Sequence, residues 1–577
     1  MDTIPAPDGN QRGELSELAR AAWPQMPEAV LETLHAEGEV RSMKKGDALF
    51  CVGEPGYDFF HLLGGAMSVL DPTTGEEVVR VEEGNFAGEL GMLMCQSAFM
   101  DGVMAEDGEV LWVPRDRFKQ LLQTDPALSA LVIDAFTARR QLLVEWGEGG
   151  LVIIGDEGEP CTVRALSYAE RNQIPHRHLQ RGKDEDEIDR LRSECEIPEE
   201  AACVAVVGNA RVITDPTPRD IADAVGLDIK TDSDETFDVA IVGAGPGGLS
   251  AAVYAASEGL RTLIIEDTAI GGQAGTSSRI ENYMGFPAGI SGADLAYRGE
   301  VQAVKFGAYL TCPRRVTKLD KRKDGTFDLT LNSGDVFHAR AVVLANGVQY
   351  RQLPLEGLDR FEGAGVYYAA TQLEARFCEG ATAVVVGGGN SAGQAAMFLS
   401  RSAEKVMMLV RGKSLTETMS SYLSERIRGS QTVELVTESE VVAVHGEDRL
   451  SRISIRHNPS GDVRDVDTPA LFIMIGAVPN TDWLPDAIEL DEKGFIRTGD
   501  TVGTECGPYA TSVPGIYAVG DVRADNVKRV ASATGEGAVV VSFIHRYLSN
   551  FDGDSGDGAG AQQTEQADQD AAQSEPA

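Results

Sequence analysis

The chain has 577 residues, of which 90 are acidic and 51 basic, and its formal net charge is −39. This length exceeds what one hydrophobic core serves and predicts about three to five domains. The charge argues against nucleic-acid and membrane partners, because such a surface repels polyanions and anionic lipid.

The acidity and the cysteines indicate the environment of the protein. So acidic a surface suits either a high-salt cytoplasm or an ordinary acidic protein of a mesophile, and both interpretations stay open. The eight cysteines are scattered with no Cys-x-x-Cys pair, which is typical of a reducing cytosol. No apolar run reaches spanning length and the N-terminus has no signal-peptide pattern, so we expect a cytoplasmic protein.

Short strands separated by glycines begin at about Val40. Their spacing predicts a small β-barrel, closed by two amphipathic helices over 115–122 and 127–145. The segments 45–50, 53–56 and 86–90, with these helices, resemble the cyclic-nucleotide-binding domain family.

In that family a Gly-Glu-Leu segment, matched here by Gly88-Glu89-Leu90, opens the phosphate-binding cassette. The resemblance implies that the glutamate binds a ribose hydroxyl. The arginine that neutralises the cyclic phosphate in the family is missing, because no base lies between Arg80 and Arg115. A buried phosphate without a counter-charge is costly. We therefore expect a degenerate regulatory or interaction domain that does not bind cyclic AMP or GMP.

The next segment, from Leu151 to about Asp228, has the predicted order βαβ–ββα, which resembles a thioredoxin-like or glutaredoxin-like fold. The family's Cys-x-x-Cys lies at the start of the first helix, where the helix dipole lowers the pKa of a thiol. That position holds Cys161 without a partner three residues later. Cys161 is a candidate monothiol, and a structural or docking domain is the favoured alternative.

The first of two glycine fingerprints follows a buried strand that ends at Val242. Gly243, Gly245 and Gly248 have the G-x-G-x-x-G spacing and lead into a helix of small residues. These glycines permit a tight turn, close approach of a pyrophosphate to the backbone, and close packing of helix on strand. Glu266 ends the next strand, 23 residues after Gly243, where a carboxylate accepts from a ribose hydroxyl.

A second fingerprint, formed by Gly387, Gly389 and Ala392, again follows an apolar strand. The next strand ends in Arg411-Gly-Lys413, with no acid where a ribose diol would need one. Two bases at this place predict NADP rather than NAD, because they neutralise a 2′-phosphate. An arginine that caps a helix in solvent is the alternative.

Further motifs lie around these fingerprints, at 271–273, 280–287, 476–480 and 515–522. The last is a strand that ends in Gly520-Asp521, which can present a backbone amide and a carboxylate to a ribityl-pyrophosphate. In this order the motifs resemble the thioredoxin-reductase-like branch of the pyridine-nucleotide-disulfide oxidoreductases, from residue 236 to about 549. The resemblance implies FAD on the first fold, NADPH on the second, and the second fold inserted in the first. It implies FAD contacts at Gly243, Gly245, Gly248, Glu266, Gly272, Gln273, Asn282, Asp521, Val530 and Ala531. It implies NADPH contacts at Gly388, Gly389, Asn390, Ser391, Arg411 and Lys413.

The redox cysteines of that family are the main departure. Ala369 and Gln372 occupy the two positions of its Cys-Ala-Thr-Cys motif, and Cys378 nearby is single. Alanine and glutamine cannot form a dithiol, so the usual route from flavin to a protein disulfide is missing. We then expect hydride transfer from NADPH to FAD and direct transfer from the flavin to an outside acceptor, as in ferredoxin–NADP reductases of this type.

Three functions stay open. The first is an FAD-dependent NADPH oxidoreductase that acts on a small redox protein or a small-molecule acceptor. The second is thioredoxin-disulfide reduction through Cys161, and the third is a flavin redox sensor regulated through the barrel. We also expect a homodimer, and we assign no metal ligand and no acid–base catalyst.

The sequence thus predicts a multidomain α/β chain with an N-terminal β-barrel, a thioredoxin-like domain and two Rossmann-like domains, the second inserted in the first. The expected segments are 1–23 (loose N-terminus), 24–147 (barrel), 151–230 (thioredoxin-like), 236–349 (FAD, first part), 350–475 (NADPH), 476–549 (FAD, second part) and 550–577 (disordered acidic tail).

Overall fold

A computed structural model describes residues 17–553 apart from short gaps. The expected acidic tail beyond Gly553 and the N-terminus up to residue 16 lie outside the described residues. The gaps are 55, 73–74, 95, 147–149, 157–158, 196, 199–200, 209–210, 228–234, 276, 278–279, 281, 362–363, 369, 371–374, 376, 416–418, 448 and 504–505.

The N-terminal domain is a barrel of short strands flanked by helices. Its elements are α1 (Glu17–Ala22), α2 (Glu28–Glu37), β1 (Glu39–Met43), β2 (Ala48–Phe50), β3 (Phe59–Gly64), β4 (Ala66–Leu70), β5 (Glu77–Glu82), β6 (Phe86–Ala87), α3 (Leu90–Leu93), β7 (Asp101–Met104), β8 (Gly108–Val113), α4 (Arg115–Thr124) and α5 (Pro126–Trp146). The described strands pair antiparallel in two sheets, β1-β8-β3-β6 and β2-β7-β4-β5.

The barrel is predicted well except at its edges. Helix α1 falls within the segment expected to be loose, and no sequence pattern predicts the two-residue strand β6. The closing helices pack through aromatic rings: Phe118 of α4 stacks on Phe59 of β3 with ring centroids 4.0 Å apart. This packing explains why α4 and α5 form part of the barrel core.

The second domain has the predicted βαβ–ββα order. Its elements are β9 (Leu151–Gly155), α6 (Pro160–Arg171), β10 (His176–Leu179), α7 (Glu185–Cys195), β11 (Cys203–Val207), β12 (Arg211–Thr214) and α8 (Pro218–Val225). The strand order is β10-β9-β11-β12, with β9 and β10 parallel and the other pairs antiparallel.

The third domain begins with a mostly parallel sheet. Its first elements are β13 (Thr236–Val242), α9 (Pro246–Ser257), β14 (Thr262–Ile265), α10 (Gly272–Gly275), α11 (Gly292–Lys305), β15 (Tyr309–Thr311), β16 (Val316–Lys321), β17 (Phe327–Leu331), β18 (Val336–Leu344) and β19 (Val348–Tyr350). Strands β13 and β14 are buried on both faces, as parallel strands between helices require.

A second parallel sheet interrupts the first. Its region contains β20 (Val366–Tyr367), β21 (Thr382–Val386), α12 (Asn390–Leu399), β22 (Lys405–Leu409), α13 (Ser421–Gly429), β23 (Val433–Val436), β24 (Ser439–Gly446), β25 (Leu450–His457), β26 (Val463–Asp467) and β27 (Ala470–Ile473). The parallel strands are ordered β20-β27-β21-β22-β23, and β24-β25-β26 form an antiparallel sheet.

The chain then returns to the first sheet through β28 (Ala477–Pro479), β29 (Ile516–Ala518) and α14 (Val530–Gly553). Strand β29 pairs parallel with β18, and β28 pairs antiparallel with β19. The second nucleotide fold is therefore inserted in the first, as predicted. None of the helices in the described part of the chain is long and apolar enough to cross a membrane.

Helix α11 joins the barrel to the third domain. Its Tyr297 and Val301 pack in the barrel core, and Gln123 of α4 donates to the Lys305 carbonyl at 3.3 Å. The second domain makes its own contact, because the Tyr168 hydroxyl donates to the Cys312 carbonyl at 3.3 Å. Both N-terminal domains thus contact the first dinucleotide fold.

Candidate functional site

The loop after β13 has the shape that its glycines predict. Gly243 has φ +105°, a conformation that favours glycine. A Cβ at Gly248 would overlap the Gly243 carbonyl oxygen, so this glycine allows α9 to pack on the strand. A Cβ at Gly245 would meet nothing within 4 Å. The backbone at Gly245 therefore faces open space that a pyrophosphate can enter.

That space is a cavity of about 690 Å³ at the carboxyl ends of the parallel strands. Most of the residues that we expected to contact FAD line it: Gly243, Gly245, Glu266, Gly272, Gln273, Asp521 and Val530. Three expected residues lie elsewhere. Gly248 is buried beneath the loop, whereas Asn282 and Ala531 are exposed outside the lining.

Glu266 supports the loop through hydrogen bonds. One carboxylate oxygen accepts from the Ala244 amide at 2.7 Å, and the other accepts from the Thr268 amide at 3.0 Å. Burial raises the pKa of Glu266, and these two donors oppose the rise. A carboxylate has about four lone-pair sites, so it can still accept from a ribose hydroxyl.

The turn after β29 differs from the sequence expectation. We expected the Gly520-Asp521 segment to offer both a backbone amide and a carboxylate to the cofactor, but the Gly520 amide donates to Glu536 at 2.7 Å. The same glutamate pairs with Arg523 at 2.7 Å. Asp521 lines the cavity, and burial raises the pKa of its carboxyl against the influence of Lys528.

Sequence reasoning missed the basic side chains of this cavity. Arg314 and Arg315, which follow β15, line it, and Arg171 reaches it from the second domain. Arg315 also pairs with Asp267 at 2.7 Å. Consecutive arginines at the carboxyl end of a parallel strand were a usable signal. Arginines beside an open glycine loop fit a dinucleotide pyrophosphate.

The second glycine loop has the same construction. Gly387 has φ +146°, and a Cβ there would overlap the Met474 carbonyl oxygen. A Cβ at Gly389 would meet nothing within 4 Å. The adjoining cavity of about 990 Å³ is lined by Gly388, Gly389, Asn390, Ser391 and Arg411, all of which we expected to contact NADPH. Lys413, expected beside them, is exposed outside the lining.

The two cavities meet at Lys528. This residue lines the second cavity, and its ammonium donates at 2.9 Å to the carbonyl of Asp521, which lines the first. Tyr350 and Tyr368 stack in parallel beside it, with ring centroids 5.8 Å apart. One hydrogen bond therefore joins the walls of the two cavities here.

The positions expected to replace the redox cysteines, Ala369 and Gln372, lie outside the described residues. Cys378 is fully buried. In the second domain, however, Cys161 and Cys203 come together. Their thiols are close enough to interact, and burial together with Cys161 raises the pKa of the Cys203 thiol. Cys161 itself donates to the Pro216 carbonyl at 3.6 Å.

The barrel contains bases that the phosphate-cassette argument did not anticipate. Arg139 and Arg140, both on α5, reach the Gly88-Glu89 segment. Glu89, expected to bind a ribose hydroxyl, pairs with Arg140 at 2.6 Å and accepts from the Gly91 amide at 2.7 Å. The cassette therefore lacks a base in its own sequence but receives two from a distant helix.

Arg140 also contacts both other domains. It donates to the carbonyl of Gln173 in the second domain at 3.3 Å, and it lies beside Tyr297 and Glu300 of α11. Burial alone would lower the pKa of Arg140, but Glu89, Tyr297 and Tyr57 together outweigh burial and hold the pKa above its ordinary value.

The carboxyl of Glu300 makes stability depend on pH. The residue is 6% exposed, and burial raises its pKa from 4.5 to about 7 although Arg140 acts in the opposite direction. Between pH 4.5 and about 7, the Glu300 carboxyl is protonated in the folded chain and ionised in the unfolded chain. Its contribution to the free energy of unfolding is therefore largest below pH 4.5 and is lost as the pH rises through 7.

We expect Glu300→Gln to be more stable than the wild type above neutral pH by up to about 3 kcal/mol, and no more stable at about pH 4. Thermal unfolding of both proteins at the two pH values measures the difference. Glu425→Gln, at an exposed position of α13, is the control, for which we expect no such change. Parallel pH profiles for wild type and Glu300→Gln would contradict the argument.

Two glycine loops, two adjoining cavities and an inserted sheet define a reductase that binds two dinucleotides. Residues 237–537 match the pyridine nucleotide-disulphide oxidoreductase family. The chain belongs to this family and is an FAD-dependent oxidoreductase that uses NADPH. Residues 40–125 match the cyclic nucleotide-binding domain.

Several of its relatives are thioredoxin reductases. The chain is 38% identical to the thioredoxin reductase of Treponema pallidum over 315 residues, and this alignment covers 55% of this chain and 98% of the relative. It is 33% identical to the thioredoxin reductase of Streptomyces clavuligerus over 312 residues, and this alignment covers 54% of this chain and 94% of the relative. The solved thioredoxin reductase of Streptococcus pyogenes has 31% identity and a TM-score of 0.48, covering 55% of this chain and 99% of that one.

Proposed function

We propose that the chain oxidises NADPH and passes electrons from FAD directly to a small redox protein or small-molecule acceptor, without a Cys-x-x-Cys pair beside the flavin. The single observation that carries this proposal is the junction at Lys528, where the two cavities adjoin. When bound, NADPH supplies a hydride that the flavin accepts. The occupation of both family cysteine positions by Ala369 and Gln372 supports direct transfer.

The residues of the first cavity would hold FAD by its diphosphate and ribose. Gly245 leaves room for the diphosphate, Arg314 and Arg315 balance its charge, and Glu266 accepts from a ribose hydroxyl. Asp521 lies at the end of this cavity that adjoins the second. These groups position the cofactor, and none is required as an acid or base.

The residues of the second cavity would hold NADPH. The loop from Gly388 to Ser391 leads into α12, whose N-terminus favours phosphate. Arg411 stands at the end of β22, where a 2′-phosphate is neutralised. Lys528 lies at the junction, and burial lowers the pKa of its ammonium although Asp521 opposes the change.

Anaerobic mixing with NADPH tests the proposal. We expect a yellow protein that releases FAD on heating, is bleached rapidly by NADPH, and turns over with one acceptor in a screen of small redox proteins and quinones. Slow bleaching followed by reoxidation in air, with no turnover, would favour a flavin sensor. A colourless protein that cannot be reconstituted with FAD would refute both functions.

A second candidate function rests on the contact between Cys161 and Cys203. A disulfide between them would accept two electrons and two protons to give two thiols, and could thus act as an electron acceptor within the chain. Burial raises the pKa of the Cys203 thiol, which opposes this role because the thiolate is the reactive form. If the pair were active, reduction of thioredoxin-type disulfides would proceed through the second domain.

Electron counting separates these routes. We expect dithionite titration under argon to consume about two electrons per flavin, because the flavin alone accepts one hydride equivalent. Cys161→Ser and Cys203→Ser should leave this count unchanged, as should the control Cys506→Ser at an exposed site. A count near four that falls to two in the Cys161 and Cys203 variants, but not in the control, would establish the thiol route instead.

A further inference from the structure

Helix α6 of the second domain ends against the wall of the first cavity. The side-chain oxygen of Asn172, which follows α6, accepts from the Ile270 amide at 3.4 Å and from the Cys312 thiol at 3.7 Å. Ile270 and Cys312 belong to two separate segments of the third domain. Further along these segments, Gly272 and Arg314 line the cavity. The second domain is therefore docked on two segments that form part of the cavity wall.

Arg171 is the last residue of α6 and lines this cavity. It is exposed, and among the described residues no hydrogen bond or ion pair engages its side chain. Arg314 in the same lining is different, because it pairs with Asp335 at 2.5 Å. Arg315 likewise pairs with Asp267 at 2.7 Å. A guanidinium carries several N–H donors, so Arg171 keeps its donors and its charge available for a bound group.

The charge of Arg171 lies at the end of the cavity that contains Glu266. Burial raises the pKa of the Cys312 thiol, Glu266 and Asp267 raise it further, and Arg171 lowers it. These three charged side chains are therefore all close to one thiol behind the cavity wall. A carboxylate in the position of Glu266 accepts from the ribose next to the adenine of a dinucleotide. The part of a bound FAD that comes near Arg171 is thus its adenosine diphosphate half.

We propose that the second domain supplies Arg171 as a binding residue for the adenosine diphosphate half of FAD, so that cofactor binding and docking of this domain stabilise each other. The inference rests on the proposed assignment of the first cavity to FAD. The guanidinium donates to phosphate or ribose oxygens, which are its usual acceptors. The barrel holds the same turn from another side, because Arg140 donates to the Gln173 carbonyl at 3.3 Å. Coupling of this kind is reciprocal, so both of its directions can be measured.

Titration of FAD into the FAD-free full chain, followed by flavin fluorescence, tests the first direction. We expect Arg171→Gln to weaken FAD binding about three- to tenfold, because one hydrogen bond at an exposed site is lost. Arg164→Gln is the matched control, at an exposed arginine of the same helix outside the lining, and should bind FAD as the wild type does. Since both arginines are exposed, the thermal unfolding midpoint of the FAD-free protein should be the same in all three.

Hydrogen exchange measures the second direction. The amides of residues 172–174 donate to carbonyls of α6, so their exchange reports opening of this turn. We expect saturating FAD to slow their exchange in the wild type and in Arg164→Gln, and to slow it less in Arg171→Gln.

Two results would overturn the proposal: wild-type FAD affinity in Arg171→Gln, or equal slowing of exchange in all three proteins. Gly245→Ala distinguishes the cause, because it tests the cavity without changing the second domain. If Gly245→Ala also binds FAD as the wild type does, the assignment of the cavity to FAD is wrong. If Gly245→Ala binds FAD weakly and Arg171→Gln does not, the cavity assignment stands and only the role of Arg171 is wrong.

Discussion

Gly248→Ala is expected to abolish stable FAD binding and to lower the free energy of unfolding by about 3 kcal/mol, because overpacking against backbone cannot be relieved by a rotamer change. The added methyl would overlap the Gly243 carbonyl oxygen where α9 meets β13. Helix and loop must then separate, and the loop loses the geometry that faces the cavity. Flavin absorbance of the purified protein and its thermal unfolding measure the two effects.

Gly245→Ala provides the matched comparison in the same loop. Its φ of −69° suits any residue, and a Cβ there meets nothing within 4 Å. We therefore expect the stability of the FAD-free protein to be unchanged and FAD affinity to fall about tenfold or more, because the methyl occupies the approach of the pyrophosphate. Wild-type FAD affinity in both variants would contradict the assignment of this cavity.

Arg411→Ala is expected to reduce the preference for NADPH over NADH by roughly 10- to 100-fold, the value of a hydrogen bond between charged groups. Arg411 lines the second cavity at the end of β22, where no acid stands to bind a ribose diol. We expect flavin reduction by NADPH to become slower and reduction by NADH to stay unchanged. Rates of flavin reduction at subsaturating concentrations of each nucleotide measure the change in preference.

Lys413→Ala is the control for that prediction. The spacing predicts the same role for both bases, but Lys413 lies outside the lining of the cavity. We expect its removal to change the preference much less. Equal effects of the two substitutions would show that both bases contribute to the preference for NADPH. Equal use of NADPH and NADH by the wild type would contradict the predicted preference itself.

Local sequence patterns predicted those elements whose formation depends only on residues close together in the sequence. The strand before Gly243, the turn and the helix after it need only a run of apolar residues and three glycines, all within one segment. The insertion of the second fold was also predicted, because the resemblance to the oxidoreductase family implies it. The edges of the barrel were missed, since a two-residue strand such as β6 has no periodicity.

The side chains that complete the sites were harder to predict because they arrive from distant segments. Arg171 reaches the first cavity from another domain, and Glu536 takes the Gly520 amide that we had assigned to the cofactor. The barrel shows the same limit. Its missing base was sought within the cassette, whereas Arg139 and Arg140 lie on α5, about fifty residues further along the chain.

The position of Arg140 has a consequence for attempts to study the reductase half alone. A chain shortened to start at residue 236 would expose Tyr297 and Val301, which are 7% and 6% exposed in the whole protein. Glu300 would regain water, and its pKa would return toward the ordinary value for a carboxyl. The isolated fragment would thus expose an apolar patch on α11 that is buried in the intact protein. Self-association of the fragment through this patch would not report the oligomeric state of the intact protein.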